Sequence, residues 1–137
     1  MEMSNWKGSA GICLNDRNEV LMVLQGPPDD EKKWGLPAGP PEADETLEES
    51  CIREFNEVTG LEVQILKSAG MKKDNFDNAD VAVELHYFLV EVVGGQLTIM
   101  EEDPWIQEIV WQPVEKLDAL ELADPGEADL IRTLIGK

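Results

Sequence analysis

With 137 residues, 42% of them apolar and 29% charged, the chain is long enough to bury the core of one domain, expected over residues 1–137, and too apolar to be disordered. Twenty-nine acidic residues against eleven basic ones give a net charge of −18, a field that repels phosphate backbones and argues against nucleic-acid polymers as partners. No apolar run approaches the roughly 18 residues of a membrane helix, and the start, MEMSNWKGSAG, lacks the basic and apolar regions of a signal peptide, so the expectation is a cytoplasmic protein without a membrane partner.

In chain order, Gly8 to Leu14 and Glu19 to Gln25 are apolar stretches parted by Asn15-Asp16-Arg17-Asn18, the pattern of a hairpin. Gly26-Pro27-Pro28-Asp29-Asp30 ends the second stretch and opens a loop running to Trp34. A helix is expected from about Leu47 to Thr59, because Thr46 and Glu49 form a capping box and Gly60 supplies the left-handed residue that ends it. A second strand pair is expected at Val63 to Gly70 and Val81 to Val93, with Gly94-Gly95 turning into Gln96 to Met100. Strand character returns at Ile106 to Trp111, followed by a short helix from Pro113 to Leu120. Asp124, Pro125 and Glu127 mark the start of a last helix, and Gly136 is placed to end it. This mixed order predicts an α+β fold, a mixed twisted sheet flanked by helices in a mixed α/β/α sandwich.

On the first helix, Leu47, Cys51, Phe55 and Val58 form one apolar stripe, with Glu54 and Glu57 along its flank. Like charges at (i, i+3) repel unless a cation lies between them. Arg53 is expected to face away from that pair and to reach Glu45 or Glu49, fixing the junction of loop and helix.

The run GPPEADETLEESCIREFNEVTGL, Gly39 to Leu61, resembles the Nudix box, G-x5-E-x7-R-E-U-x-E-E-x-G-U with U apolar. The matching residues are Gly39, Glu45, Arg53, Glu54, Phe55, Glu57, Gly60 and Leu61. Upstream, Trp34-Gly35-Leu36-Pro37-Ala38-Gly39 is similar to the family's W-x-L-P-G-G lead-in, and Pro40, Pro41 and Asp44 should stiffen the loop that follows. The resemblance implies the Nudix fold and a hydrolase of pyrophosphate bonds in a nucleoside diphosphate linked to another group. A nucleoside triphosphate, a sugar nucleotide and a dinucleotide are all within that class. It also implies metal ligation by the Gly39 carbonyl, Glu54 and Glu57, with Glu45 and Arg53 supporting the site. Magnesium suits such oxygen donors, with manganese as the alternative, and in so acidic a chain a bound cation is what lets a phosphate substrate approach.

In this chemistry water attacks a phosphorus while metal neutralises charge on the leaving oxygen. Glu57 is then a ligand, and Glu54 either a ligand or the base that takes the proton from water. Some family members draw the base from a downstream loop, which here points to Glu102 within Glu101-Glu102-Asp103. Val58 departs from the motif, standing where relatives carry a metal-binding glutamate, and it equally continues the apolar stripe. A weakened hydrolase is expected, the alternative being a nucleotide-binding or regulatory module on the same scaffold.

Lys33 and Trp34 are candidate substrate contacts, against the plainer reading of a surface lysine and a packing tryptophan. His86 shares a sheet face with Glu84 and is read as a structural imidazole at the edge of the cleft. Cys13 and Cys51, set among apolar residues, are expected as buried free thiols. Homodimers are common among relatives, yet no segment of the sequence marks an interface.

Overall fold

The computed structural model describes residues 4–26, 31–76, 81–98, 106–122 and 126–135. Seven strands, two α-helices and one 3-10 turn occur among them. The strands are β1 (Ser4–Cys13), β2 (Glu19–Gln25), β3 (Lys33–Gly35), β4 (Ala38–Gly39), β5 (Leu61–Phe76), β6 (Val81–Gly95) and β7 (Ile106–Pro113). The helices are α1 (Leu47–Thr59) and α2 (Gly126–Leu134), with the 3-10 turn at Val114–Ala119.

The strands form two sheets, in the orders β4-β1-β6-β5 and β3-β2-β7. In the first, β1 runs parallel to β6 and antiparallel to β4, while β5 and β6 form a long antiparallel pair. The mixed, helix-flanked architecture is as expected, divided between two sheets rather than one.

Alternation along the strands sorts the core into two layers. Val20 and Met22 of β2, Ala10 and Ile12 of β1 and Tyr87 of β6 pack with Val114, Leu117, Ala128 and Ile131 on the α2 side. Leu21, Val23, Cys13, Phe88 and Val90 face the other way, onto Cys51 and Phe55 of α1. Gly11 of β1 permits that helix to approach, since a Cβ there would lie 2.7 Å from the Phe55 ring. Both cysteines are free and buried, and burial pushes the Cys13 thiol up to about 11 and the Cys51 thiol up to about 12, which keeps both protonated and inert.

Helix α1 follows its sequence closely. Thr46 Oγ1 accepts from the Glu49 N–H at 3.1 Å while Glu49 Oε1 accepts from the Thr46 N–H at 3.0 Å, and Gly60 ends the helix at φ 83°. Glu48 and Glu49 place negative charge at the positive end of the helix dipole.

Four expectations are corrected. The turn at Asn15–Asn18 forms, closed by the Asn15 N–H donating to Glu19 O at 3.0 Å and by a single Leu14–Val20 bridge, but β1 and β2 then diverge into separate sheets. β1 is buried on both faces and takes β4 and β6 as its partners, which leaves no edge for β2. The loop ahead of Trp34 gives way at Lys33–Gly35 to strand β3 on β2. Gln96 to Thr98 is not a strand, because Gly94-Gly95 stays in the β5 ladder and the next residues run along the end of α1, where Thr59 O accepts from the Thr98 N–H at 2.8 Å. The helix after β7 is a 3-10 turn, starting at Val114. Met100, Asp124, Pro125 and Gly136 lie outside the described residues.

Candidate functional site

The lead-in Trp34 to Gly39 is tied down along its length. Trp34 sits in β3 and donates its N–H to Glu121 O at 2.9 Å, and Leu36 and Pro37 are buried. The Pro37 carbonyl accepts from the Gly11 N–H at 3.0 Å, and Gly39 pairs with Ser9 of β1. This fixes Gly39 beneath α1, whose Ser50 hydroxyl lies 3.4 Å from that of Ser9.

The missing side chain at Gly39 has a physical reason. A Cβ placed there would collide with the carboxylate of Glu54, which lies directly over the glycine. The Glu54 side chain is only 17% exposed, and burial raises its carboxyl above the usual range, with the Arg53 charge and hydrogen bond pulling the other way. Glu57, one turn later, is 58% exposed.

Arg53 organises the loop and the helix flank together. Its Nε and Nη2 donate to Glu45 Oε2 and Oε1 at 2.7 and 2.9 Å, a bidentate pair, and Nη2 also donates to Pro40 O at 3.0 Å. That pairing holds the Glu45 carboxyl below, and the Arg53 guanidinium above, their ordinary values. Glu45 Oε1 also accepts from the Glu42 N–H at 2.8 Å, and Asp44 takes a left-handed φ of 74° in the same turn.

Nη1 of Arg53 lies 3.2 Å from Glu54 Oε2 and 3.2 Å from Glu57 Oε1. Arg53 therefore does not face away from the carboxylate pair, and its partner is Glu45 rather than Glu49. Glu49 and Glu57 stand at the same four-residue spacing from Arg53, so spacing alone could not choose. The capping box decides, because it engages the Glu49 carboxylate at the helix start. The bridging position of Arg53 and the Pro40 carbonyl were missed by sequence reasoning, although the Arg53–Glu57 spacing carried the first.

The other candidates fall elsewhere. Trp34 packs against the α2-side core and Lys33 is exposed on β3, and no described contact joins either to Glu54 or Glu57. His86 Nε2 lies 2.6 Å from Glu84 Oε2, with Lys7 Nζ 3.7 Å from the same oxygen, as a paired imidazole at partial burial. That hydrogen bond lowers the Glu84 carboxyl. Val58 is partly buried and packs with Leu47 against the α1-side core. Glu102 lies outside the described residues, with Glu101, Asp103 and Trp105.

The donors fit a hard divalent cation in kind. Glu54 and Glu57 already converge on one positively charged nitrogen, both offer oxygen, and Gly39 leaves the space that Glu54 occupies. Among the described residues no group of three or more His, Cys, Asp or Glu side chains is arranged to hold a metal ion.

The family model of the NUDIX domain matches residues 6–134, and the chain belongs to that family. A Caenorhabditis elegans protein provisionally named nudix hydrolase 1 is 37% identical over 130 residues, 93% of this chain and 34% of its own length. The 8-oxo-dGDP phosphatase NUDT18 of Danio rerio is 29% identical over 127 residues, 84% of this chain and 36% of its own. The chain spans about a third to a little over half of the length of the curated relatives it matches. Among solved structures, a NUDIX hydrolase from Nitrosomonas europaea superposes with a TM-score of 0.79 at 20% identity, covering 94% of this chain and 87% of that one. Among the described residues no helix is long and apolar enough to cross a membrane.

Proposed function

We propose that the chain hydrolyses a pyrophosphate bond in a nucleoside diphosphate linked to another moiety, as a single domain over residues 1–137. The observation that carries the reading is the Glu54 carboxylate seated on Gly39, with Glu57 converging on the same cationic nitrogen. Glu54, Glu57 and the Gly39 carbonyl would hold magnesium or manganese, which supplies charge neutralisation at the phosphate oxygens and a water of lowered pKa. Glu54 is the residue suited to take a proton, because its burial keeps its basicity above that of an ordinary carboxylate. Glu102 is the alternative base, on the strength of the sequence alone. Glu45 and Arg53 hold the loop against the helix and orient both carboxylates.

The substrate is a small molecule. The name borne by the Danio rerio relative makes oxidised guanine nucleotides the first to try, beside sugar nucleotides and dinucleotides. A homodimer and a cytoplasmic address belong to the same reading, and two free buried cysteines are compatible with the latter.

Val58 supports a weakened enzyme. It packs in the α1-side core, so the helix supplies two carboxylates at this flank rather than three. The same observation favours a second reading, a nucleotide-binding or regulatory module without turnover. Magnesium-dependent release of phosphate or pyrophosphate from a nucleotide panel, run beside Glu54→Gln and Glu57→Gln, decides between them. Turnover abolished by either substitution establishes the hydrolase. A blank panel that Val58→Glu brings to life identifies the module.

A further inference from the structure

The chain has three arginines, Arg17, Arg53 and Arg132. Arg53 is engaged by the carboxylates of α1, whereas the other two line one cavity of about 450 Å³ where the Asn15–Asn18 turn, the β7–3-10 junction and the last turn of α2 meet. No residue of the α1 carboxylate network borders it.

Local sequence makes the turn rigid. Asn15 Oδ1 accepts from the N–H groups of Arg17 and Glu19 at 2.9 and 3.0 Å, and the Asn15 amide donates to Glu19 Oε1 at 2.8 Å. Asn18 takes a left-handed φ of 59°, and its carbonyl accepts from the Val114 N–H at 3.0 Å, which fastens the turn to the opposite wall of the cavity. The Arg17 backbone is thus carried at a fixed place, while its side chain is exposed and no hydrogen bond or ion pair engages its guanidinium among the described residues. Arg132 lies along the wall, donating to Val114 O at 3.4 Å and standing 3.2 Å from Asp118 and 3.9 Å from Asp129, whose side chains are 82% and 91% exposed. Water screens both of these exposed pairs, so an incoming phosphate can compete for the guanidinium. Pro113 and Ile135 add apolar surface, and Glu115 adds an acceptor.

We propose that this cavity binds a small organic phosphate monoester, with the phosphate between Arg17 and Arg132 and its apolar or aromatic body against Pro113 and Ile135. Two guanidiniums match a phosphate monoester of charge close to −2, whereas a carboxylate neutralises only one of them. Each further phosphate adds repulsion from Glu115 and the −18 field with no third guanidinium to offset it, which favours a monoester over a polyphosphate. A volume of about 450 Å³ is within the range of small-molecule sites and takes a mononucleotide. In a chain this acidic, the cavity gathers two of the three arginines, with Glu115 on its wall and Asp118 and Asp129 at the solvent side of Arg132.

Titration calorimetry of the full chain in EDTA, with phenyl phosphate, AMP and inorganic phosphate as probes, tests the proposal. Phenyl phosphate and AMP are expected to bind at one site, more tightly than inorganic phosphate, and about tenfold or more weaker in Arg17→Gln. Arg17 holds nothing else in place, so that variant keeps its fold, and Arg132→Gln should weaken binding in the same direction. Glu57→Gln should leave it unchanged. The proposal is overturned by an absence of saturable binding at millimolar probe, by equal affinity in Arg17→Gln, or by tighter binding in Glu57→Gln, which would place the phosphate on the Arg53 guanidinium that this substitution releases.

Discussion

The two faces of α1 are built on opposite principles. On one, Cys51 and Phe55 are buried and Leu47 and Val58 pack beside them, so that face is defined by volume and by exclusion of water. On the other, Glu54 and Glu57 are held close to each other by one guanidinium, and Glu54 is buried at a cost to its charged form. The apolar face stabilises the fold. The carboxylate face keeps a buried charge at Glu54 that Arg53 only partly offsets, the pattern expected if this flank is the proposed site rather than part of the core.

Substitutions can sharpen this contrast. Phe55→Ala removes the largest side chain of the apolar face and is expected to lower stability by about 3–5 kcal/mol in denaturant titrations. A loss below about 1 kcal/mol would mean that the helix is not anchored by this face. Gly39→Ala acts across the other face by driving the Glu54 carboxylate off its seat. Turnover in the nucleotide assay is expected to fall by about 100-fold, the scale on which small displacements of catalytic groups act. Unaltered turnover would remove Glu54 from the chemistry.

Smaller effects separate the two faces further. Val58→Glu exchanges a packing residue for a carboxylate, so stability should fall by about 1 kcal/mol while the magnesium concentration needed for half-maximal turnover drops. Loss of stability with no change in metal requirement would assign Val58 to the core alone. Glu54→Gln should do the reverse, abolishing turnover and raising Tm at pH 7, because the buried charge is gone. Since the Glu54 pKa is raised in the fold, that gain is present above its folded value and vanishes below the ordinary carboxylate value. A Tm difference that persists in acid would refute this account.

Glu45 gives the smallest effect, with the opposite sign. Its pKa is lowered by Arg53, so its contribution to stability is complete above the ordinary carboxylate value and is lost as pH falls through the lower folded value. Thermal melts of Glu45→Gln and the unaltered chain should therefore diverge at neutral pH and converge in acid.

The sequence by itself determined what depends on neighbours along the chain. Thr46, Glu49 and Gly60 bounded α1 because a cap satisfies the backbone groups within one turn of it. The motif spacing placed Glu54, Glu57 and Gly39 as candidates, Gly39 for its carbonyl alone, and only the packing of the Glu54 carboxylate over it gave its missing side chain a reason. Tertiary structure decided what depends on competition between distant partners. The Asn15–Asn18 turn had a hairpin's pattern, yet β1 took β4 and β6, and a turn signal cannot report which strand wins an edge. Arg53 had equal spacing to Glu49 and Glu57, and the engagement of Glu49 in its cap settled which one it met. Arg17 and Arg132 stand 115 positions apart, and only the packing of α2 against the first turn brought them to one cavity. Local hydrogen bonds are written in local sequence, whereas the meeting of charges across the fold follows from burial of the core between them.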